Sequence, residues 1–287
     1  MSLRTTANAL HNVLCEAVRD GGPVTWIVQS DDGPLGPVPA DIADRVVRAP
    51  VADGAAVALA VGLAAGGRRP VLELADTGRL GAVVEALADA VRLGAAELAA
   101  PVVVRVPYGS EAVGVDQPIG PWLDALHGVR VVCPSTPASA VALLREALQA
   151  PGPTLILEPR RLYRERGEGG GGTVGATILS PGRHVTLAAV GSGVAAAVAA
   201  ADALAADGIE AEVIDLVCLQ PLDVELIGGS VRRTGRLVVA HDGDETLARR
   251  VRELVLDEAF LYLEAPLASA PCEAGALADA ARSAVEY

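Results

Sequence analysis

The sequence has 287 residues, of which 51% are hydrophobic and only 2% aromatic, and its formal net charge is −13. This length is sufficient for one or two domains with a substantial core, which must be assembled mainly from Ala, Val and Leu. The negative charge argues against nucleic acid as a partner, because phosphate binding requires a basic surface.

The spacing of the cysteines and the composition of the N-terminal segment indicate the cellular compartment of the protein. Cys15, Cys133, Cys218 and Cys272 lie far apart, form no CxxC pair and have no His at ligand spacing. We therefore expect free thiols rather than disulfides or a metal site. No apolar segment follows Arg4, which argues against a signal peptide. From these features we expect a cytoplasmic protein without membrane contact.

Helix and strand patterns alternate through the first half of the chain. The predicted elements are a helix at 3–19, a strand at 24–28, a short apolar piece at 46–47, a helix beginning near 53, a strand at 70–74, a helix at 80–93, strands at 101–106 and 129–133, a helix at 138–150 and a strand at 154–158. The polar, glycine-rich segment 165–172 follows and is the best linker candidate.

The second half repeats this alternation. Its predicted elements are strands at 185–190, 212–216 and 237–241 and helices at 194–206, 224–233, 246–259 and 274–285. Strands that alternate with helices predict parallel sheets. We therefore expect an α/β protein with two domains, at 1–164 and 173–287, each a mainly parallel sheet flanked by helices.

The stretch from Ala49 to Gly67 is the first candidate for chemistry. Asp53 precedes an apolar helix rich in Ala and Gly, whose small side chains would let another backbone or a flat ligand approach closely. A carboxylate there is a candidate acid or base. An Asp in front of an apolar run is also a common helix N-cap, and this capping role stays open as the alternative.

A second candidate is the turn Gly191-Ser-Gly193-Val-Ala-Ala196, which follows a strand and opens a helix, with Asp215 at the end of the next strand. This spacing is that of a dinucleotide-binding turn, in which the glycines admit the pyrophosphate and the acid binds a ribose hydroxyl. Because Gly-Ser turns open helices in many α/β units, an ordinary turn is the alternative.

Two further polar groups have an ordinary explanation beside a functional one. His241 ends a strand beside Asp242, Asp244 and Glu245; it either serves a site at the carboxyl edge of a sheet or forms local hydrogen bonds. The cluster Arg160-Arg161-Leu-Tyr-Arg164 follows directly on a buried strand. It indicates either an anchor for an acidic partner or for the second domain, or a solvated basic turn.

Several motifs, in order along nearly the whole chain, resemble one family. They are Pro107-Tyr-Gly109, VVCPSTP at 131–137, GPTLILEPRRLYR at 152–164, GIEAEVIDL at 208–216, LQPLD at 219–223 and RTGRLVV at 233–239. These segments resemble the beta subunit of thiamin-diphosphate-dependent 2-oxoacid dehydrogenases of the pyruvate and branched-chain type, in the transketolase-like superfamily. The resemblance implies a pyrimidine-binding domain followed by a transketolase C-terminal-like domain.

The resemblance also implies cofactors and partners. It implies an alpha subunit, commonly in a two-plus-two heterotetramer with a contact between the beta subunits. Thiamin diphosphate and magnesium are held mainly by that alpha subunit, through a Gly-Asp-Gly motif that this sequence does not contain. The chain alone is therefore expected to be inactive. A lipoyl-bearing acyltransferase is a further partner that the family suggests.

In this family the segment matching Ala49–Gly67 carries a glutamate that hydrogen-bonds a ring nitrogen of the aminopyrimidine and so activates the cofactor. The matching residue here is Asp53, which the resemblance makes both the catalytic acid and a cofactor-binding residue. Its carboxylate is withdrawn by about 1.5 Å, the length of one carbon–carbon bond.

Two departures from the family pattern affect the expected activity. The family has a His in the loop that follows the segment matching residues 107–109, but residues 110–121 contain no His, and Asp116 and Gln117 are the nearest polar candidates. The family also places aromatic rings against the pyrimidine, but no aromatic residue lies between Val71 and Val106.

The leading prediction is a beta component of a 2-oxoacid dehydrogenase. The alternatives are a catalytically diminished homologue that acts as a scaffold or assembly partner, a transketolase-like half-enzyme, and nucleotide binding at 191–196.

Overall fold

The computed structural model describes residues 4–30, 33, 35–75, 80–95, 100–109, 120–167, 171–242 and 245–287. The chain divides into two compact units, Met1–Val174 and Gly175–Tyr287. The glycine-rich segment that the sequence suggests as a linker begins inside the first unit. Its residues Arg166–Gly167 form a short strand that pairs with Arg4–Thr5.

The first unit alternates strands and helices. Its helices are α1 (Thr6–Arg19), α2 (Asp53–Ala65), α3 (Leu80–Ala95), α4 (Gly120–Leu123) and α5 (Pro137–Ala147). Its strands are β1 (Arg4–Thr5), β2 (Val24–Val28), β3 (Val46–Arg48), β4 (Arg69–Glu73), β5 (Val103–Tyr108), β6 (Arg130–Val132), β7 (Thr154–Pro159) and β8 (Arg166–Gly167). Short 3-10 helices cover Ala40–Arg45, Asp124–Leu126 and Arg160–Arg164.

The main sheet of the first unit is parallel. Its strands are neighbours in the order β6-β7-β5-β4-β2-β3, and each pair is parallel. All six residues of β7 are buried, and β5 is buried except for its last residue. Such continuous burial is typical of strands in a parallel sheet that is covered on both faces.

The strand order reverses between β2 and β4. The chain passes from β2 to β3 on one side of β2, whereas β4, on the other side, is followed by β5 farther from β2. The two neighbouring strands therefore send their outgoing connections in opposite directions. In open α/β sheets a crevice forms outside the carboxyl ends of such strands, and ligands bind there.

The second unit has the same architecture with an antiparallel edge. Its helices are α6 (Gly193–Ala206), α7 (Val224–Thr234), α8 (Thr246–Ala259) and α9 (Ala274–Glu286). Its strands are β9 (Thr177–Ser180), β10 (Val185–Ala189), β11 (Ala211–Asp215), β12 (Cys218–Gln220), β13 (Leu237–His241) and β14 (Ala268–Pro271). The sheet order is β14-β13-β10-β11-β9, in which only β9 is antiparallel to its neighbour.

The core of the second unit has the composition that the sequence predicts. One cluster of buried residues lies between the sheet and helices α6 and α9, and the other lies between the sheet and helices α7 and α8. The buried members of both clusters are Ala, Val, Leu and Ile.

The predicted fold class, two α/β domains with mainly parallel sheets, is confirmed. Within the described part of the chain, no helix is both long and apolar enough to cross a membrane.

Candidate active site at the carboxyl edge of the first sheet

Asp53 is the first residue of α2, and its side chain does not cap the helix. The N-cap residue is Ala52, and no side-chain capping bond is present. Instead, the half-buried carboxylate accepts a hydrogen bond through Oδ1 from Gln29 Nε2 at 2.9 Å. The capping alternative from the sequence is therefore wrong, although an acid in the first helical turn still interacts favourably with the helix dipole.

Gln29 follows directly on β2, at the carboxyl edge of the sheet. Its amide nitrogen donates a second hydrogen bond, of 3.0 Å, to the carbonyl oxygen of Val51. A single amide group thus joins the end of β2 to both the segment that precedes α2 and the first side chain of α2. No sequence motif marked Gln29, because its role depends on the parallel pairing of β2 and β3.

At Gly54, the small residues of α2 allow helix α3 of the same unit to pack closely against α2. A Cβ atom on Gly54 would lie 2.9 Å from Ala82 Cβ in α3, a distance that real Cβ atoms do not show. The predicted close approach of another backbone to this helix is therefore made, at Gly54, by α3. This packing fixes the start of α2, and with it the backbone of Asp53.

A crevice of about 230 Å³ opens between the carboxyl ends of β2 and β4. We call it the switch crevice; it is lined by residues 28–30, Gly33, residues 73–75 and Arg160. Its position is the one that the reversal of strand order predicts for a ligand site. Because Gln29 lines the crevice and also binds Asp53, the crevice and the Asp53 carboxylate share a side chain.

A buried ion network is connected to the switch crevice through Glu73, which lines it. Arg105, on β5, donates from Nε and Nη2 to the two carboxylate oxygens of Glu158 at 2.8 and 2.6 Å, and from Nη1 to Glu73 Oε2 at 3.1 Å. The hydroxyl of Tyr163 donates to Glu158 Oε2 at 2.7 Å. Glu73 and Arg105 are directly opposite each other on β4 and β5. The network therefore connects three adjacent strands of the sheet.

Burial and charge set the proton affinities in this network. Burial raises the pKa of Glu73 and Glu158 adds to this effect, while Arg105 opposes it. Burial alone would lower the pKa of Arg105, but the carboxylates of Glu158 and Glu73 raise it above its ordinary value. Burial, followed by Glu158, holds the pKa of Tyr163 well above its usual range. Arg105 therefore stays charged and Tyr163 stays a hydroxyl donor.

No sequence motif marked this network, although the sequence contains a signal for it. Glu73, Arg105 and Glu158 each stand in a run of apolar residues that was predicted as a strand. A charged residue inside a buried strand requires a partner of opposite charge. The sequence therefore indicates that these three residues need charged partners, and the strand order of the sheet makes them partners of one another.

The glycine turn of the second unit makes contacts within the chain. A Cβ atom on Gly193 would lie 2.7 Å from Cys272 Sγ, so this glycine allows α6 to approach Cys272. Asp215 is buried, and its Oδ1 accepts a hydrogen bond from the Val217 amide at 3.1 Å. These contacts favour the ordinary turn over a dinucleotide site, in which the acid would bind a ribose.

The remaining candidates are placed as follows. Arg160 lines the switch crevice and donates to the Ala75 carbonyl oxygen at 3.4 Å, so one member of the basic cluster belongs to the site. His241 Nε2 lies 4.0 Å from Glu245 Oε1. Asp244, and residues 110–119 with their candidates Asp116 and Gln117, lie outside the described residues.

The four cysteines are free thiols. Cys15, Cys133 and Cys218 are buried, and Cys272 is half-buried. Burial, with a smaller contribution from Asp242, raises the pKa of Cys272 to about 11. In the part of the chain that the structure describes, no three His, Cys, Asp or Glu side chains come together as a metal site.

Comparison with known families gives two matches that together span most of the chain. The model of the transketolase pyrimidine-binding domain matches residues 6–166. The model of the transketolase C-terminal domain matches residues 175–282. The first of these regions contains Asp53, Gln29 and the switch crevice.

Individual relatives are beta subunits. The chain is 37% identical to the 3-methyl-2-oxobutanoate dehydrogenase subunit beta of Mycobacterium tuberculosis (strain ATCC 25618 / H37Rv), over 78% of this chain and 69% of that protein. It is 33% identical to the pyruvate dehydrogenase E1 component subunit beta of Leifsonia xyli subsp. xyli, over 85% and 79%. For the pyruvate dehydrogenase E1 component subunit beta of Rhizobium meliloti the identity is 31%, over 78% of this chain but only about half, 52%, of the relative.

Among solved structures, a split-gene transketolase described as an inactive beta4 tetramer superposes with a TM-score of 0.77. It covers 99% of both chains at 23% sequence identity. At this identity the similarity establishes the fold.

Proposed function

Because the chain belongs to the transketolase-like family that includes the beta subunits of 2-oxoacid dehydrogenases, we propose that it is the beta component of such an enzyme. This family depends on thiamin diphosphate, and its E1 beta subunits work with an alpha subunit. The proposed activity is the decarboxylation of a 2-oxo acid by the assembled complex.

The observation that carries this proposal is the position of the Asp53 carboxylate. It is half-buried at the start of α2, held by Gln29, next to a crevice at the point where strand order reverses. A carboxylate in such a position can hold a proton at one oxygen or accept one there. We assign to Asp53 the contact with a ring nitrogen of the aminopyrimidine.

The residues present fit the pyrimidine half of the cofactor. Asp53 offers a carboxylate for the ring, and the switch crevice has both apolar walls and polar side chains, as ligand sites do. When bound, thiamin diphosphate supplies the carbon nucleophile for a 2-oxo acid. The sequence contains no Gly-Asp-Gly motif, and we assign magnesium and the diphosphate to the alpha subunit.

The short side chain of Asp53 affects the expected rate. The family glutamate is longer by one carbon–carbon bond, about 1.5 Å. A misplacement of about 1 Å can lower a rate on the order of 100-fold. We therefore propose a working enzyme whose rate depends on how the surroundings of Asp53 correct for this length.

The proposed assembly is a heterotetramer of two alpha and two beta subunits with a contact between the beta subunits. A lipoyl-bearing acyltransferase is the proposed acceptor of the product, and the cytoplasm is the proposed compartment. We also propose the boundaries 1–164, 165–172 and 173–287 for the pyrimidine-binding domain, the linker and the C-terminal domain.

A scaffold or assembly partner is the second candidate function. It is supported by the lack of aromatic residues between Val71 and Val106, since the family places rings against the pyrimidine there. A transketolase-like half-enzyme has less support, because the similar proteins named above from sequence are dehydrogenase beta subunits.

The test is to reconstitute the complex with an alpha-type subunit of the same enzyme family. Decarboxylation of pyruvate and of 3-methyl-2-oxobutanoate is measured with thiamin diphosphate and magnesium. The proposal predicts activity that requires both subunits and that falls at least about 100-fold in Asp53→Asn, which keeps the shape of the side chain but cannot act as acid or base. A complex that assembles but decarboxylates neither acid overturns the proposal and favours the scaffold.

A further inference from the structure

We propose that Gln29 is the positioning residue of the Asp53 carboxylate, and that its length suits the gap that the short side chain of Asp53 leaves between the two residues. This inference rests on the proposed function, because it concerns how the acid of that site is held. Nothing in the sequence motifs or in the family matches assigns a role to Gln29.

The hydrogen-bond geometry leaves the Gln29 amide little freedom. A primary amide nitrogen carries two hydrogens, and both are used: one is donated to Val51 O at 3.0 Å and the other to Asp53 Oδ1 at 2.9 Å. Rotation of the amide would break both bonds. Gln29 therefore fixes one carboxylate oxygen of Asp53 and leaves the other for a ligand.

Both ends of this contact are anchored by the fold. Gln29 directly follows β2, which pairs with β3 on one side and with β4 on the other. Asp53 begins α2, whose start is set by the close contact of Gly54 with Ala82. The distance between the two backbones is thus determined by packing, and the two side chains together must span it.

The lengths of the two side chains are matched. Gln is one methylene longer than Asn, and Asp is one methylene shorter than Glu. A longer amide at position 29 can therefore meet a shorter carboxylate at position 53 across the same gap. This matching predicts that shortening Gln29 breaks the contact and that lengthening Asp53 at the same time restores it.

Gln29 also places its hydrogen bond to Asp53 next to the proposed ligand site. It is one of the residues that line the switch crevice, so a group bound there lies beside the amide that holds Asp53. Replacement of Gln29 should therefore lower the rate more than it lowers the affinity for the 2-oxo acid.

The experiment compares three substitutions in the reconstituted complex. Gln29→Met keeps the length but removes the donor, and Gln29→Asn shortens the amide. The double variant Gln29→Asn with Asp53→Glu restores the combined length, and Asp53→Glu alone is measured beside it as the reference, so that the longer reach of glutamate towards a ligand is separated from the restored contact. Gln149→Met is the matched control, because Gln149 is exposed in the turn that follows α5. We expect Gln29→Met and Gln29→Asn to lower kcat by on the order of 10-fold with KM nearly unchanged, and the double variant to recover most of this loss.

A readout independent of activity separates this inference from the proposed function. The Tm of the chain alone is measured for Gln29→Met, for Asp53→Ala and for the two together. If the side chains interact, the two effects will not add, and Gln29→Met will lower the Tm by about 2 °C only while Asp53 is present.

The outcomes are distinguishable. An active wild-type complex in which Gln29→Met has no effect on kcat, or in which the length-matched double variant shows no recovery, overturns the positioning role of Gln29. Additive changes in Tm overturn it as well. An inactive wild-type complex overturns the proposed function instead, whatever the Tm values show.

Discussion

Arg105 holds Glu158 through two parallel hydrogen bonds, Nε to Oε1 at 2.8 Å and Nη2 to Oε2 at 2.6 Å. Both side chains are almost fully buried. Bidentate pairing of this kind is strong and directional, and here it connects two neighbouring strands of the first sheet. A charged pair inside the core thus joins two strands of the sheet whose carboxyl edge carries the candidate site.

Removal of the cation should destabilise the fold strongly. Arg105→Met leaves Glu73 and Glu158 buried without a counter-charge, and we expect the free energy of unfolding to fall by about 3–5 kcal/mol. Urea denaturation of the chain measures this change. Arg92→Met is the matched control, because Arg92 pairs with Asp89 on the surface; its effect should stay within about 0.5 kcal/mol. Equal effects of the two substitutions would show that the buried network contributes no more than a surface pair.

Glu73 should make stability depend on pH. Its pKa is raised above the ordinary value of 4.5, mainly by burial. A carboxyl group of this kind stabilises the fold fully below its unfolded pKa, and the contribution is lost as the pH rises through the folded pKa. Glu73→Gln cannot titrate, so its stability relative to the wild type should increase as the pH is raised from about 4.5 towards neutrality. Urea denaturation across this range checks the sign, and a constant difference would contradict the prediction.

Gly193 should not tolerate a side chain. A Cβ atom there would lie 2.7 Å from Cys272 Sγ, and we expect Gly193→Ala to lower the free energy of unfolding by about 1–3 kcal/mol. The additional substitution Cys272→Ala should recover part of the loss, because it removes the sulfur. Gly275→Ala is the control: the added Cβ meets no atom within 4 Å, and a gain of up to about 1 kcal/mol is expected. A neutral Gly193→Ala would mean that Cys272 moves away freely.

Nicotinamide dinucleotide should not stabilise the protein. The turn at 191–196 uses Gly193 for packing, and Asp215 already accepts a hydrogen bond from Val217. We expect the Tm of the full chain to be unchanged at millimolar NAD. A bound ligand at 100 times its Kd would add about 2.7 kcal/mol of stability, so a rise in Tm of several degrees would restore the dinucleotide hypothesis.

The sequence was informative where local pattern decides the structure. The predicted strands at 24–28 and 237–241 and the helix at 246–259 have the predicted bounds in the structure, because apolar periodicity and flanking turn residues determine such elements. Short strands with few apolar residues were missed, among them β9 and β14. They exist because a neighbouring strand offers an edge to pair with, and the sequence does not display that edge.

For the candidate site, too, some features could be predicted from the sequence and others depended on the tertiary structure. From the sequence alone came the fold class, the family resemblance and the position of Asp53 in front of an apolar helix. Only the tertiary structure decided what the Asp53 side chain contacts, because Gln29 is 24 residues away and reaches it through strand pairing. The ion network of Arg105 was decided in the same way, by the order of β4, β5 and β7 in the sheet. Local sequence specifies which residues form strands and helices, whereas contacts between side chains on different strands depend on strand order and register, which are set by the packing of the whole sheet.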